Sequence, residues 1–199
     1  MSTSRDGGRL AAGSAHAVVY ARYTMRCMGI PVCRNQHALD VATLLDVDDT
    51  VICWSSRTPV LRVNEHQHHP DFVAEHTSGR SLVMAVSDSF DHTLMPKVEA
   101  AQLGFNLRVC RPCDLNRTRL QNATDILSHA RFRVSLDERL RLLCMLDECS
   151  SASVGECVAA LRSPSPMATL SSLFLHRLID IDLDDALIGP DTIVRRKRL

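Results

Sequence analysis

The stretch His69-Pro70-Asp71-Phe72-Val73-Ala74-Glu75, a turn at Ser78-Gly79, and the run Leu82-Val83-Met84-Ala85-Val86 constrain this chain more than any other segment. A carboxylate opens one strand, a tight turn follows, and a second strand is apolar along its length. Two strands joined so closely pair as a hairpin whose register fixes which side chains share a face. Period-two alternation puts Asp71, Val73 and Glu75 on one face. It predicts Asp71 at the edge of a central sheet beside Leu82–Val86, with Ala85 and Ser87 pointing toward it.

The surrounding pattern supplies a sheet and its helices. Ala38, Val41, Leu44 and Leu45 have helical spacing, and Asp46, Asp48 and Asp49 follow as a helix-ending turn. Residues 51–54 and 60–63 read as strands separated by a turn-rich linker. Pro96 opens a helix that Gly104 ends, and residues 105–109 form a further strand. Helix, four short strands, helix and strand predict an α/β domain with a mixed sheet flanked by helices.

The last third changes character. Ser135-Leu-Asp-Glu138 is a capping-box pattern, with Leu136, Leu140, Leu143 and Leu146 assigned to one helix face. Ser153-Val-Gly-Glu156 repeats the signal, and Ser165-Pro166 starts a third helix, with Thr169, Ser171, Ser172 and His176 expected on its exposed side. Residues 179–183 alternate apolar and acidic, and Ile193-Val194 is positioned to pair back with them. Three helices and a β-ribbon predict a winged-helix module. The expected division is a mostly flexible tail over 1–35, the α/β domain over 36–125, and the helical module over 126–199.

With 45% hydrophobic and 23% charged residues the chain has material for a real core. No apolar run reaches the ~20 residues that cross a bilayer, so no membrane partner is expected. Eight cysteines at irregular intervals in a chain this long favour reduced thiols and a cytoplasmic location. The net charge of +0 hides a division. Residues 36–104 are acidic in balance. Residues 105–141 hold Arg108, Arg111, Arg117, Arg119, Arg131, Arg133, Arg139 and Arg141 against four acids. Acid beside arginine suits a site that holds a divalent cation while its neighbours grip phosphates; solvated faces of unrelated helices are the bland alternative.

Asp71 is the leading site residue, since a Mg²⁺ there would take carboxylate oxygens and keep several waters. The order of segments around it carries a resemblance. Residues 44–51, then Trp54, Pro59, the His-His-Pro-Asp-Phe segment, the strand to Val86, the helix from Lys97 and residues 103–109 together resemble the TnsA-type transposon endonucleases. These belong to the PD-(D/E)xK restriction-like nucleases. The likeness continues through residues 122–127, Arg131-Phe-Arg133 and residues 188–194. It implies a restriction-endonuclease-like fold, Mg²⁺-dependent cleavage of transposon-end DNA, and a partner transposase subunit docked on the C-terminal part.

Carried over by position, Asp71 matches the first catalytic carboxylate and metal ligand. Asp40 stands near the place of an upstream helix acid, and Lys97 is a candidate for a migrated lysine. The Glu-x-Lys pair falls on Ala85-Val86-Ser87, which can neither bind the ion nor position water, so cleavage is expected to be impaired or lost. Arg117, Arg119, Arg131 and Arg133 are the expected DNA contacts through phosphate.

His66, His68 and His69 crowd one loop, and Cys110-Arg-Pro-Cys113 has the spacing of half a zinc site. No second Cys-x-x-Cys exists, and a core cysteine is usually a small apolar residue. His68 and His69 are expected to line the mouth of the Asp71 site or to sit in solvent. The alternating Asp180, Asp182 and Asp184 would repel phosphates, so the helical module looks more like a protein-docking surface than a DNA reader. The main functional expectation is a TnsA-like subunit that binds DNA and a partner transposase. The alternative is a structural or regulatory protein that binds neither metal nor DNA.

Overall fold

Short amphipathic segments with well-formed caps build a four-stranded mixed sheet and a helical half packed against it. The structure is a computed structural model describing residues 18–63, 66–90 and 96–197. The first elements are β1 (Val19–Tyr20), β2 (Val32–Cys33) and α1 (Gln36–Val47). Asn35 caps α1 by accepting from the Ala38 amide at 2.9 Å. Then come β3 (Val51–Ser55), β4 (Leu61–Val63), β5 (His66–His68), β6 (Phe72–His76), β7 (Gly79–Ala85), α2 (Lys97–Gln102) and β8 (Asn106–Cys110).

The sheet runs in the order β3-β6-β7-β8, with β7–β8 parallel and the other pairs antiparallel. The expected hairpin is β6–β7, turned at Gly79 with φ +136°, which suits a residue without Cβ. β4 does not join this sheet. It pairs with β5, so the histidine segment is a strand of a small separate ribbon rather than a loop.

Alternation divides the sheet's two faces. Phe72, Ala74, Val83 and Ala85 face α1, whose Ala38, Val41, Ala42 and Leu45 complete one core with Val51 and Trp54. Leu82 packs on the other face with Leu61 and with Ala100 of α2. Residues 18–35, placed with the tail in the sequence reading, carry the β1–β2 pair. Cys33 is 1% exposed inside the α1 core.

The chain continues through α3 (Arg117–Leu127), α4 (Leu136–Cys149), β9 (Ser151–Ser153), α5 (Val154–Ala160), α6 (Pro166–Leu175), β10 (Ile179–Ile181) and β11 (Ile193–Arg196). The expected pairing of residues 179–181 with 193–196 forms as β10–β11, and β9 adds a third strand in the order β10-β11-β9. Ser153 and Glu156 make the expected reciprocal cap of α5. Glu138 does not complete the box at α4, because its carboxylate accepts instead from the Arg162 and Ser163 amides.

Two helix faces differ from expectation. On α4 the buried leucines are Leu142 and Leu146, while Leu136 and Leu140 are exposed. On α6, Thr169, Ser171 and Ser172 are buried: α6 runs through the centre of the second core, with Ala123, Ile126 and Leu127 of α3 in the same cluster. Thr169 hydroxyl donates back to Ser165 O and Ser172 hydroxyl to Phe132 O, which lets small polar side chains enter an apolar core.

The two halves are stitched together. The division expected after residue 125 falls inside α3, and Val47 of α1 joins the second core. Asn122, 1% exposed, donates to Leu183 O and Ala186 O and accepts from the Ile188 amide. Arg177 reaches across to the carbonyls of Asp48 and Val51. No helix among the described residues is long and apolar enough to cross a membrane.

Candidate functional site

The N-terminal end of α1 and the β6–β7 hairpin meet at Asp71. Its amide donates to Val83 O at 2.8 Å, although Val83 is already the register partner of Phe72. The ladder is therefore irregular where β6 begins, and Asp71 steps out of the alternation predicted for it. Thr58 hydroxyl donates to Pro70 O at 2.8 Å and pins the approach.

The Asp71 carboxylate, 4% exposed, is filled on both oxygens. Arg34 Nε donates to Oδ1 at 2.8 Å; Arg34 Nη2 at 3.1 Å and the Ala85 amide at 2.7 Å donate to Oδ2. Arg34 Nη2 also donates to Ala85 O. A fork of this kind meets a carboxylate on two parallel bonds and fixes the guanidinium plane. Burial pushes the Asp71 carboxyl upward, opposed by the Ala85 N–H and by the charges of Arg34 and His37.

The group facing Asp71 from α1 is His37. Its Nε2–H donates to Cys110 O at 2.9 Å, tying α1 to the end of β8. Outward from this pair opens a cleft of about 580 Å³, lined by Arg34, His37, His68, His69, Ser87 and Phe90 among others. The structure thus brings Asp71 together with Ala85 through the backbone, and Ser87 onto the cleft wall, its hydroxyl paired with Ser89.

Asp40 and Lys97 are not brought to Asp71. Asp40 lies on α1 and accepts from the Gln36 amide group at 2.7 Å. Lys97 is exposed at the start of α2, which packs on the opposite face of the sheet from α1.

These residues do not fit a divalent ion. Such an ion needs several free oxygen ligands, and the one carboxylate here already meets a fixed guanidinium and an amide. Among the described residues no cluster of His, Cys, Asp or Glu has a metal-holding arrangement. Cys110 is 6% exposed inside the α1 core, its thiol pushed up by burial, while Cys113 is exposed with its amide on Asp88. None of the eight cysteines is in a disulfide.

The arginines divide. Arg119 Nη1 is bound to Asp184 at 2.8 Å. Arg117, Arg131 and Arg133 are exposed, Arg117 at the start of α3 and the other two between α3 and α4. Arg133 and Arg139 line a separate cavity of about 300 Å³ with His176. The basic C-terminal run is largely engaged, with Arg196 on Asp147 and Lys197 on Asp49. Arg198 lies outside the described residues.

Arg34 is the site residue that sequence reasoning missed. It lies in a segment placed with the tail, and its partner is 37 positions away. One local signal was available: a lone cation immediately before Asn35, a good helix N-cap. No family model matches this chain, and no curated protein matches it.

Proposed function

We propose that this chain is a DNA- and protein-binding subunit on a restriction-endonuclease-like frame, similar to the TnsA-type transposon endonucleases, with metal-dependent cleavage lost. The observation that carries it is the Arg34 fork on both oxygens of Asp71. The frame keeps a carboxylate at the head of the hairpin, and a guanidinium supplies the positive charge. With Ala85 and Ser87 in place of an acid and a base, the hairpin lacks the pair that would bind the ion and position water.

The helical half has the helix-strand-helix-helix-strand-strand order of a winged helix, which supports that reading of it. A winged helix that reads DNA presents its third helix to the major groove. Here α6 is buried, so this half serves to dock the partner transposase, and phosphate contacts fall to Arg117, Arg131 and Arg133, with Arg119 released from Asp184. The cysteines, all unpaired, fit a cytoplasmic setting.

Supercoiled-plasmid nicking with Mg²⁺ and with Mn²⁺ tests the catalytic half of this proposal. The expected result is no nicking above background. Robust nicking abolished by Asp71→Ala would overturn it and return the catalytic role to Asp71. Duplex binding tests the other half: affinity should fall steeply with salt as counterions are released.

The buried α6 and the paired Arg196 and Lys197 favour one rival, a structural or regulatory protein that contacts protein alone. Undetectable duplex affinity at low salt would establish that rival.

A further inference from the structure

The cleft beside Asp71 offers an anion outward-facing donors. Arg34 and Asp71 balance each other's charge, and Asp88, held below the usual carboxylate range by the Cys113 thiol and amide, directs its own charge to those two donors. Arg34 spends Nε and Nη2 on Asp71 and Ala85. Its Nη1 group has no protein acceptor among the described residues, and the side chain is 47% exposed. A guanidinium fixed by Nε and Nη2 leaves one preoriented donor nitrogen, Nη1, for a ligand oxygen.

Further features converge on the same space. His37 gives its Nε2–H to Cys110 O, and its Nδ1 donates to an oxygen only when the ring carries both protons. His68 and His69 also line it, and Arg34, Asn35 and His37 bring the positive end of the 12-residue α1 to the cleft. Phe90 and Pro112 add an apolar wall. The volume, about 580 Å³, exceeds that of a bare phosphate and lies within the range of small-ligand sites.

We propose that this cleft binds a nucleotide-sized phosphate ester directly through Nη1 of Arg34, with no metal ion. This rests on the DNA-binding reading above and names what its degenerate centre would hold: a phosphate ester of a nucleic-acid strand. The Asp71–Arg34 pair, balanced in charge, then acts as a fixed donor. Asp71 is a positioning residue that acts through Arg34.

The test is calorimetric titration of the full chain with thymidine 5′-monophosphate in EDTA, with inorganic phosphate and thymidine as separate arms. The expected result is saturable nucleotide binding, weaker binding of phosphate, and none of thymidine. Arg34→Lys keeps the charge but loses the fork and should weaken nucleotide binding by about tenfold. Because that variant could lose its fold, His68→Gln/His69→Gln serves as the second: it removes two rim imidazoles, leaves the Arg34–Asp71 pair untouched, and should weaken binding severalfold. No saturable binding, binding that needs Mg²⁺, thymidine binding as tightly as the nucleotide, or affinity unchanged in both variants would overturn the proposal. Duplex binding measured on the same samples separates the two levels. Salt-dependent duplex affinity without nucleotide binding sinks the cleft alone, and absent duplex affinity sinks the parent reading.

Discussion

The two ends of α1 each hold a buried aspartate, and the environments differ. At the C-terminal end, Asp46 Oδ1 accepts from the Met25 amide at 3.0 Å, the Arg26 amide at 2.7 Å and Trp54 Nε1 at 3.2 Å. Its Oδ2 is buried with no partner. At the N-terminal end, Asp71 has both oxygens engaged and an arginine half in solvent. Asp46 is closed off and joins the first strands to the sheet; Asp71 opens onto a cleft through its partner. A buried carboxylate is therefore no marker of a metal site. What separates the two ends is a counter-charge with a free donor.

Asp46→Ala should give the largest effect. It strands three donors, each a buried group costing about 1–3 kcal/mol when unpaired, so a loss of about 3 kcal/mol is expected in urea unfolding. Asp46→Asn keeps an acceptor and should cost less than half of that. Arg34→Ala should come second, at about 2 kcal/mol, because it leaves a buried carboxylate with one amide while removing a side chain already half solvated. If Arg34→Ala proves costlier than Asp46→Ala, the Asp71 end is the structural one and the contrast reverses.

The pH dependence is smaller. Burial raises both carboxyls, against the amide and indole donors at Asp46 and against Ala85 N–H, Arg34 and His37 at Asp71. A carboxyl raised in the folded state holds its proton more tightly folded than unfolded. Its contribution is fully present below the ordinary value of about 4 and is lost as pH rises through the raised value. Asp48 runs the other way: burial is outweighed by the Thr50 donors and Arg108, its carboxyl is lowered, and its contribution is lost as pH falls. Unfolding free energy followed from pH 4 upward should decline less in Asp46→Asn than in the parent. An identical slope would remove Asp46 from this account.

The smallest stability change belongs to the arginines outside both ends. Replacing Arg117, Arg119, Arg131 and Arg133 with Ala breaks one exposed pair, Arg119–Asp184, and should cost within about 1 kcal/mol. The same variant should weaken duplex binding on all sequences alike and flatten its salt dependence, since phosphate contacts position without specifying. Unchanged affinity and slope would assign these arginines to the fold alone.

What was legible in the sequence is what local chemistry determines. Ala38, Val41 and Leu45 announce α1, Gly79 the hairpin, and Ser153 with Glu156 the start of α5. What was not legible depends on partners distant in sequence. Arg34 meets Asp71 across the sheet, and nothing within either segment encodes that distance. Thr169, Ser171 and Ser172 read as exposed because of their polarity. They are buried because α6 runs through the second core beside α3, a helix absent from the sequence reading; the Thr169 hydroxyl bonds within its own helix turn, to Ser165 O, and the Ser172 hydroxyl reaches Phe132 O, 40 positions away. β4 left the sheet because its partner is β5, whose histidines carry no strand signal.

The indole that donates to Asp46 has a spectroscopic use. Trp54 is the chain's single tryptophan, 1% exposed and edge-on to Phe72 at 5.1 Å between ring centroids. The two tyrosines, Tyr20 and Tyr23, lie on the same side of the chain, so no indole or phenol chromophore falls beyond residue 54. Trp54 emission therefore reports the sheet half, to whose core it belongs, with Tyr23 packed against the other core; α4, α5 and α6 are visible to far-ultraviolet dichroism. Following both signals through one denaturant titration reads the two halves separately with no label. Coincident curves would mean that Val47 in the second core and the Arg177 contacts make them unfold as one.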